Sequence, residues 1–266
     1  MFSSIILPII IFAVLGILAG VLLTVASKVF HVETDERIQE ITDTLPGANC
    51  GACGFAGCAD YAAAVVEKGA ATNLCRPGGT DAAKKVSTIM GTEAGEVTPE
   101  VAVVHCRGNC DAVKQKYDYD GTQTCAAAKR FYGGTKSCSY GCLGFGDCMN
   151  VCDENAIEIV NGVAEVTGVC LGCGKCVKTC PQALISLKPI TKHIDVKCSS
   201  KDTGKNTKLS CSNGCIGCKI CEKKCPNDAI HVNDFHASID YDKCTGCGEC
   251  FKACPVKAIT NCEDLA

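Results

Sequence analysis

Three cysteine runs constrain this chain more than any other feature of its sequence. Each run has the spacing C-x2-C-x2-C-x3-C, and a proline follows its last cysteine. This spacing is typical of [4Fe–4S] proteins, where three close thiolates bind one cluster and the fourth binds the other cluster of a pair. The runs consist of Cys170, Cys173, Cys176 and Cys180, of Cys215, Cys218, Cys221 and Cys225, and of Cys244, Cys247, Cys250 and Cys254.

Zinc is the alternative metal that such cysteines could bind. Zinc ribbons place two separated C-x2-C pairs around one tetrahedral ion. They need neither a third cysteine two residues further on nor a proline after the fourth. The three runs therefore favour iron–sulfur clusters over zinc.

An internal repeat adds a fourth, divergent unit. Residues 141–157 resemble 214–230, and residues 170–185 resemble 244–259. In this alignment Phe145 stands where Cys218 stands in the later unit, so we assign the missing thiolate to Cys138, which aligns with Cys211. The pair rule then predicts four clusters, bound by Cys138, Cys142, Cys148 and Cys180, by Cys170, Cys173, Cys176 and Cys152, by Cys215, Cys218, Cys221 and Cys254, and by Cys244, Cys247, Cys250 and Cys225.

A separate four-cysteine unit precedes the repeats. Its members are Cys50, Cys53, Cys58 and Cys75, and the alanine-rich stretch at about 59–68 within it predicts a helix. Four local thiolates fit one further [4Fe–4S] cluster. Zinc stays open as an alternative here, because this spacing is less specific.

The remaining cysteines leave a sixth cluster as an open question. Cys106 and Cys125 precede the first pair of units, and Cys198 and Cys211 precede the second. This parallel suggests one shared cluster at the joint between the pairs, in which Cys110 could replace one of the four ligands. The last cysteine, at position 262, is expected to fill apolar space near the terminus. We therefore predict five clusters and leave the sixth undecided.

The N-terminus predicts a membrane anchor. Ile5 to Ala26 carries no charge and would extend ~33 Å as a helix, enough to span a hydrocarbon core. A cleaved signal peptide would need a preceding basic residue and a shorter apolar core. Because Lys28 and Arg37 follow the span, the positive-inside rule places the C-terminal bulk in the cytoplasm on a single-pass anchor. Cytoplasmic thiols stay reduced, which favours metal ligation over disulfides.

Composition supports a metal-stabilised α+β fold. The 266 residues include 26 cysteines and no tryptophan, so few large side chains are available for a core. Metal–thiolate bonds can supply stability that a thin core lacks. The net charge of −3 does not indicate a nucleic-acid partner. We predict a transmembrane anchor at 1–28, a small α-helical Fe–S domain at 29–92, an irregular cysteine-containing connector at 93–137, ferredoxin-like module 1 at 138–190, a second connector at 191–214, and ferredoxin-like module 2 at 215–266.

Several of these features together resemble a known family. They are the anchor, the segment CGACGFAGCADYA from Cys50, the segment GCLGFGDC from Gly141, and the ferredoxin-like pairs. The chain resembles, over nearly its whole length, the B subunits of the Rnf complex, and in particular the longer forms with two ferredoxin pairs. It departs from the pattern at Asp153, where proline is usual, and in the extra Cys110.

The resemblance implies a function as well as a fold. The Rnf complex is a membrane-bound ferredoxin:NAD oxidoreductase and translocase that couples electron flow to Na⁺ or H⁺ transport. Its B subunit exchanges electrons with soluble ferredoxin and relays them to membrane subunits. Neither flavin nor NAD is expected on this chain, and no substrate chemistry. The lysines at 219, 223 and 224 could form a docking face for an acidic ferredoxin, or simply a solvated surface.

Two other functions stay open on the sequence. One is a cluster-bearing component of a different membrane oxidoreductase, although such chains generally lack the CGACGFAGC unit after an anchor. The other is a zinc-stabilised interaction protein. Metal and sulfide analysis would distinguish zinc from clusters.

Overall fold

The computed structural model describes residues 2–29 and 35–262, with side chains for 12–25 and 35–262. The first helix, α1, covers Phe2–Val29, and its described large apolar side chains are exposed. In the described part of the chain, no helix is found that has both the length and the apolar character needed to cross a membrane. Residues 5–11 and 26 of the predicted span lie outside the described side chains, so the anchor stays a prediction.

Three helices form the small N-terminal domain. They bury one another's apolar faces around Ile41, Tyr61 and Val86. The Tyr61 hydroxyl donates a hydrogen bond to Ala71 O at 2.8 Å and accepts one from Leu74 N at 3.2 Å, which holds the loop that leads to the last cysteine of this unit. The helices are α2 (Glu36–Thr44), α3 (Cys58–Lys68) and α4 (Gly79–Met90).

Module 1 contains two antiparallel strand pairs, one of which is a hairpin. The Asn161-Gly162 dipeptide forms the tight turn of this hairpin, and both residues have positive φ, at 46° and 76°. The strands bury Val104, Val163 and Ile185 in one core together with the nearby cysteines. The pairs are β1 (Glu100–Val104) with β4 (Ile185–Pro189) and β2 (Ile157–Val160) with β3 (Val163–Val166), and the short helices are α5 (Cys125–Lys129), α6 (Asp147–Asn150) and α7 (Lys175–Thr179).

The segment 93–137 is more ordered than the irregular connector that we predicted, because it supplies β1 and α5. Strand β1 completes module 1 by pairing with β4, whose first residue, Ile185, lies opposite Val104. The local sequence of a five-residue apolar strand does not indicate which distant strand it will pair with. The connector therefore belongs structurally to module 1.

Module 2 repeats this arrangement. Its first strand again comes from the preceding connector, at 191–214, and again pairs with the last strand of the module. Its elements are β5 (Ile194–Val196) paired with β8 (Ile259–Asn261), β6 (Ile230–Asn233) paired with β7 (His236–Ile239), and the helices α8 (Gly204–Ser210), α9 (Ile220–Lys224) and α10 (Glu249–Ala253).

The two modules meet through polar contacts near the ends of β1 and β5. His105 of module 1 lies with one ring nitrogen 2.8 Å from Val196 O, and its carbonyl oxygen accepts a hydrogen bond from the Ser199 hydroxyl at 3.0 Å. Within module 1, its other ring nitrogen lies 2.7 Å from Ser186 Oγ. An isolated β-bridge also joins Val113 to Cys211. We call this contact region the joint. It brings cysteines from both modules together.

Candidate metal centres

In the described part of the chain, four cavities are each lined by four cysteines. Their empty volumes are nearly equal, at about 380, 380, 330 and 350 Å³. Four thiols around one space is the ligand arrangement of a [4Fe–4S] cluster. The four sets are Cys106, Cys138, Cys198 and Cys211; Cys125, Cys142, Cys148 and Cys180; Cys225, Cys244, Cys247 and Cys250; and Cys215, Cys218, Cys221 and Cys254.

Both cavities of module 2 have the cysteines that the pair rule predicts. Three thiols of each run share a cavity, and the fourth crosses to the other cavity because the chain turns away at the following proline. Helices α9 and α10, which carry Cys221 and Cys250, pack against each other. Cys218 and Cys247 are exposed, whereas most other cysteines are buried or half-buried.

In module 1 the structure corrects one ligand. Cys125, not Cys138, lines the cavity of Cys142, Cys148 and Cys180. The Asp147 carboxylate holds Cys125 there, because it accepts hydrogen bonds from Cys125 N at 2.9 Å and from Ala126 N at 3.0 Å. The first turn of α5 is thereby attached to the cysteine loop.

Cys138 lies instead at the joint. Its cavity is completed by Cys106, Cys198 and Cys211, which differs in one member from the grouping of Cys106, Cys125, Cys198 and Cys211 that the sequence left open. Cys106 and Cys198 each come two residues after the first strand of their module. Cys138 and Cys211 are equivalent in the repeat alignment, and this equivalence, from which we assigned Cys138 to module 1, is the sequence signal that could have placed both cysteines at the joint.

In two further sets of cysteines, three thiols raise the pKa of the fourth. Burial raises the pKa of Cys176 to about 11, and the neighbouring Cys170, Cys173 and Cys152 add to that shift. This is the set that the pair rule predicts. The other set is the N-terminal unit: burial raises the pKa of Cys75, and Cys58, Cys50 and Cys53 raise it further.

The last two cysteines lie apart from these six sets. Cys110 is exposed. Cys262 does not simply fill apolar space, because its thiol donates a hydrogen bond to Asp195 Oδ2 at 2.9 Å. Asp195 is fully buried and also contacts Lys188, with 2.7 Å from each carboxylate oxygen to Nζ. Cys262 is thus part of a buried polar network.

The chemistry of the six sets fits iron–sulfur ligation. Burial raises the pKa of Cys148 and of Cys221 to about 12, so these thiols ionise readily only beside a positive centre such as iron. Backbone N–H groups also point at the sulfurs: Ala229 N lies 3.3 Å from Cys225 Sγ, and Ala156 N lies 3.3 Å from Cys152 Sγ. Such bonds are among the features that set cluster potentials.

A site for a single metal ion would differ from the cysteine-lined cavities described above. Within residues 2–29 and 35–262, no group of three or more His, Cys, Asp or Glu side chains is placed to hold a metal ion. The thiols lie around shared cavities instead.

Family models match the three cysteine-rich regions. One described as "Putative Fe-S cluster" matches residues 45–77, and two described as "4Fe-4S dicluster domain" match residues 169–230 and 214–258. The chain therefore carries iron–sulfur domains of the [4Fe–4S] type.

Relatives extend the similarity to almost the whole chain. It is 43% identical over 92% of its length to the B subunit of the Na⁺-translocating ferredoxin:NAD⁺ oxidoreductase complex of Acetobacterium woodii, covering 74% of that protein. It is 42% identical over 92% to the B subunit of the ion-translocating oxidoreductase complex of Methanosarcina acetivorans, covering 93% of it. It is 41% identical over 91% to the B subunit of the proton-translocating ferredoxin:NAD⁺ oxidoreductase complex of Clostridium ljungdahlii, covering 86%. These relationships confirm the resemblance: the chain belongs to the family of B subunits of the Rnf-type ion-translocating oxidoreductase complex.

Proposed function

We propose that this chain is the iron–sulfur electron-transfer subunit of an Rnf-type ferredoxin:NAD oxidoreductase, anchored by residues 1–28 with its cysteine-rich bulk in the cytoplasm. One observation carries the proposal. In the described part of the chain, four sets of four cysteines surround cavities of similar volume, and in two further sets the neighbouring thiols shift the pKa of one member. When bound, [4Fe–4S] clusters supply one-electron redox chemistry. The other subunits of the complex are the partners that its family membership implies.

The chain's own residues hold and insulate the metal. Cysteines of one run bind two centres, so each centre of a pair is fixed relative to the other. Buried apolar side chains such as Ile230 and Val232 surround the cavities of module 2 and exclude water. We assign six clusters, with Cys125 and Cys138 as ligands of different clusters.

Anaerobic purification with iron, sulfide and zinc analysis tests this assignment. Six [4Fe–4S] clusters require about 24 iron atoms and as many sulfides per chain. Zinc without sulfide would refute the proposal and support the interaction-protein alternative. About 20 irons, unchanged in a Cys198→Ser variant, would refute only the sixth cluster.

Soluble ferredoxin is the proposed electron-exchange partner, and module 2 offers a face for it. Cys218 is exposed, and the neighbouring Lys219, Lys223 and Lys224 are exposed as well. Lys219 has a left-handed φ of 59° before α9. This conformation costs an L-residue roughly 1–2 kcal/mol.

Glycine occupies the corresponding place in the other three repeat units. Gly146, Gly174 and Gly248 precede α6, α7 and α10 with φ of 81°, 74° and 75°. A lysine at a strained position beside an exposed cluster ligand supports a functional role.

The Lys219→Gly variant tests this face cleanly. It installs the residue that the other units use, so it should stabilise module 2 by about 1 kcal/mol. Reduction of the chain by ferredoxin should nevertheless slow, mostly at low ionic strength, because a positive charge that steers an acidic partner is lost. Lys243→Gln, which removes a lysine on another loop, is the control. Equal rates in wild type and Lys219→Gly would show that the lysines form only a solvated surface.

A further inference from the structure

Among the residues whose side chains the structure describes, few charged groups are buried, and one of them lacks an ionic partner. In the described part, the charged side chains that are buried are Lys136, Lys188 and Asp195, with 6%, 4% and 0% exposure. Lys188 and Asp195 pair with each other at 2.7 Å. Lys136 Nζ instead donates hydrogen bonds to two backbone carbonyls, Gly108 O at 3.1 Å and Gly162 O at 2.6 Å.

Burial of such an ammonium group without an anion beside it is unfavourable in free energy. Burying an ion in a protein costs several kcal/mol unless an opposite charge or strong hydrogen bonds offset it. Carbonyl dipoles offset part of this cost, yet Lys136 forms no ion pair with a carboxylate among the described residues. The side chain therefore indicates that negative charge belongs nearby.

The joint cavity is where that negative charge would lie. Lys136 lines this cavity together with Cys106, Cys138, Cys198 and Cys211. Gly108, whose carbonyl oxygen accepts a hydrogen bond from Lys136 Nζ, lines the same cavity.

We propose that Lys136 is the fixed counter-charge of the joint centre and raises its reduction potential. The inference rests on the proposed function, because it requires the sixth cluster. Reduction adds one electron from a ferredoxin-type donor, and no bond or proton changes place. Lys136 stabilises the more negative reduced form, since a buried positive charge acts through a low dielectric. Electrons are thereby held where the two modules meet.

Other lysines near the cysteine sets differ in a way that provides a control. Lys197 lines the same cavity, but it is only half-buried and lies 4.0 Å from the Asp195 carboxylate. Lys175, near the neighbouring set of module 1, pairs with Asp153 at 2.5 Å. Their charges are partly neutralised or screened, and Lys136 is distinguished from them by its burial and its neutral partners.

The test is an EPR-monitored redox titration of the full-length, anaerobically purified protein. The joint signal is first identified as the one that Cys198→Ser removes. In Lys136→Met the ratio of reduced to oxidised joint centre at a fixed potential should fall about tenfold, which corresponds to ~59 mV for a one-electron couple. Lys136→Arg should stay near the wild-type value. Lys197→Met should change the ratio by less than about threefold.

Iron content is measured on each variant, because the buried site could fail to assemble. Lys136→Gln keeps hydrogen-bond donors for a carbonyl without the charge, and it replaces Lys136→Met if the latter loses iron. An unchanged joint potential in an iron-replete uncharged variant would overturn the role of Lys136. An equal shift in Lys197→Met would overturn it too. If Cys198→Ser removes neither iron nor a signal, the sixth cluster itself fails, which is a separate result.

Discussion

Asp147 is the residue whose removal most directly tests why Cys125 rather than Cys138 serves module 1. Its carboxylate accepts hydrogen bonds from Cys125 N at 2.9 Å and Ala126 N at 3.0 Å. A hydrogen bond contributes about 1 kcal/mol on average and about 1.5–3 kcal/mol when a buried partner is charged, and the partial exposure of Asp147 argues for about 1 kcal/mol for each of the two bonds. We therefore expect Asp147→Ala to cost about 2 kcal/mol in the attachment of α5.

Detachment of α5 exposes the cluster ligands of one cavity. A loss of about 2 kcal/mol raises the population of the open state roughly 30-fold. Iron release to a chelator under anaerobic conditions follows that population when opening is fast and reversible. About four irons per chain should therefore be released some 30-fold faster in Asp147→Ala, with the other irons released at the wild-type rate.

Asp153→Ala is the matched control for this experiment. Asp153 lies close to Asp147 in sequence, but its carboxylate contacts the side chain of Lys175 rather than the backbone of α5. Release of the same four irons should be unaffected. If Asp147→Ala releases every iron at the wild-type rate, or if the fast irons are those that Cys198→Ser removes, the proposed attachment of Cys125 is refuted.

Three further experiments test individual features. Cys125→Ser should perturb the EPR signal of the centre that Cys142 binds, whereas Cys138→Ser should perturb the signal of the joint centre. If both variants perturbed the same signal, the revised grouping would be refuted. Tyr61→Phe should destabilise the small domain by about 2 kcal/mol through two lost hydrogen bonds, measured by amide exchange, and unchanged protection would contradict it. Gly217→Ala should lower the melting temperature more than Gly246→Ala, although both glycines have positive φ, because a Cβ at Gly217 would lie 2.8 Å from Phe235 O while the space at Gly246 is open.

Local sequence predicted what lies close together along the chain. In the C-x2-C-x2-C runs, two residues separate successive thiols, so one loop must bring all three to one centre, and the following proline sends the fourth to another. The two sets of module 2 follow from this rule alone. The helix expected at about 59–68 in the small domain was equally local, and the structure has it at Cys58–Lys68.

Longer separations were not predictable in the same way. Cys125 lies 17 residues before Cys142, and nothing in that interval specifies that α5 folds back on Asp147. Strand β1 pairs with β4 some 80 residues later, so the connector at 93–137 could not be recognised as part of module 1. Lys136 resembles an ordinary surface lysine in the sequence, and only folding buries it.

The sequence by itself thus determined the type of metal centre, the repeat and the ligand sets whose members are joined by short loops, because loop length limits where a thiol can reach. The tertiary structure decided which distant cysteine completes the module 1 cavity, which four meet at the joint, and which charge is buried beside them. These depend on how β1, α5 and the two modules pack, and packing is set by contacts between segments far apart in the chain.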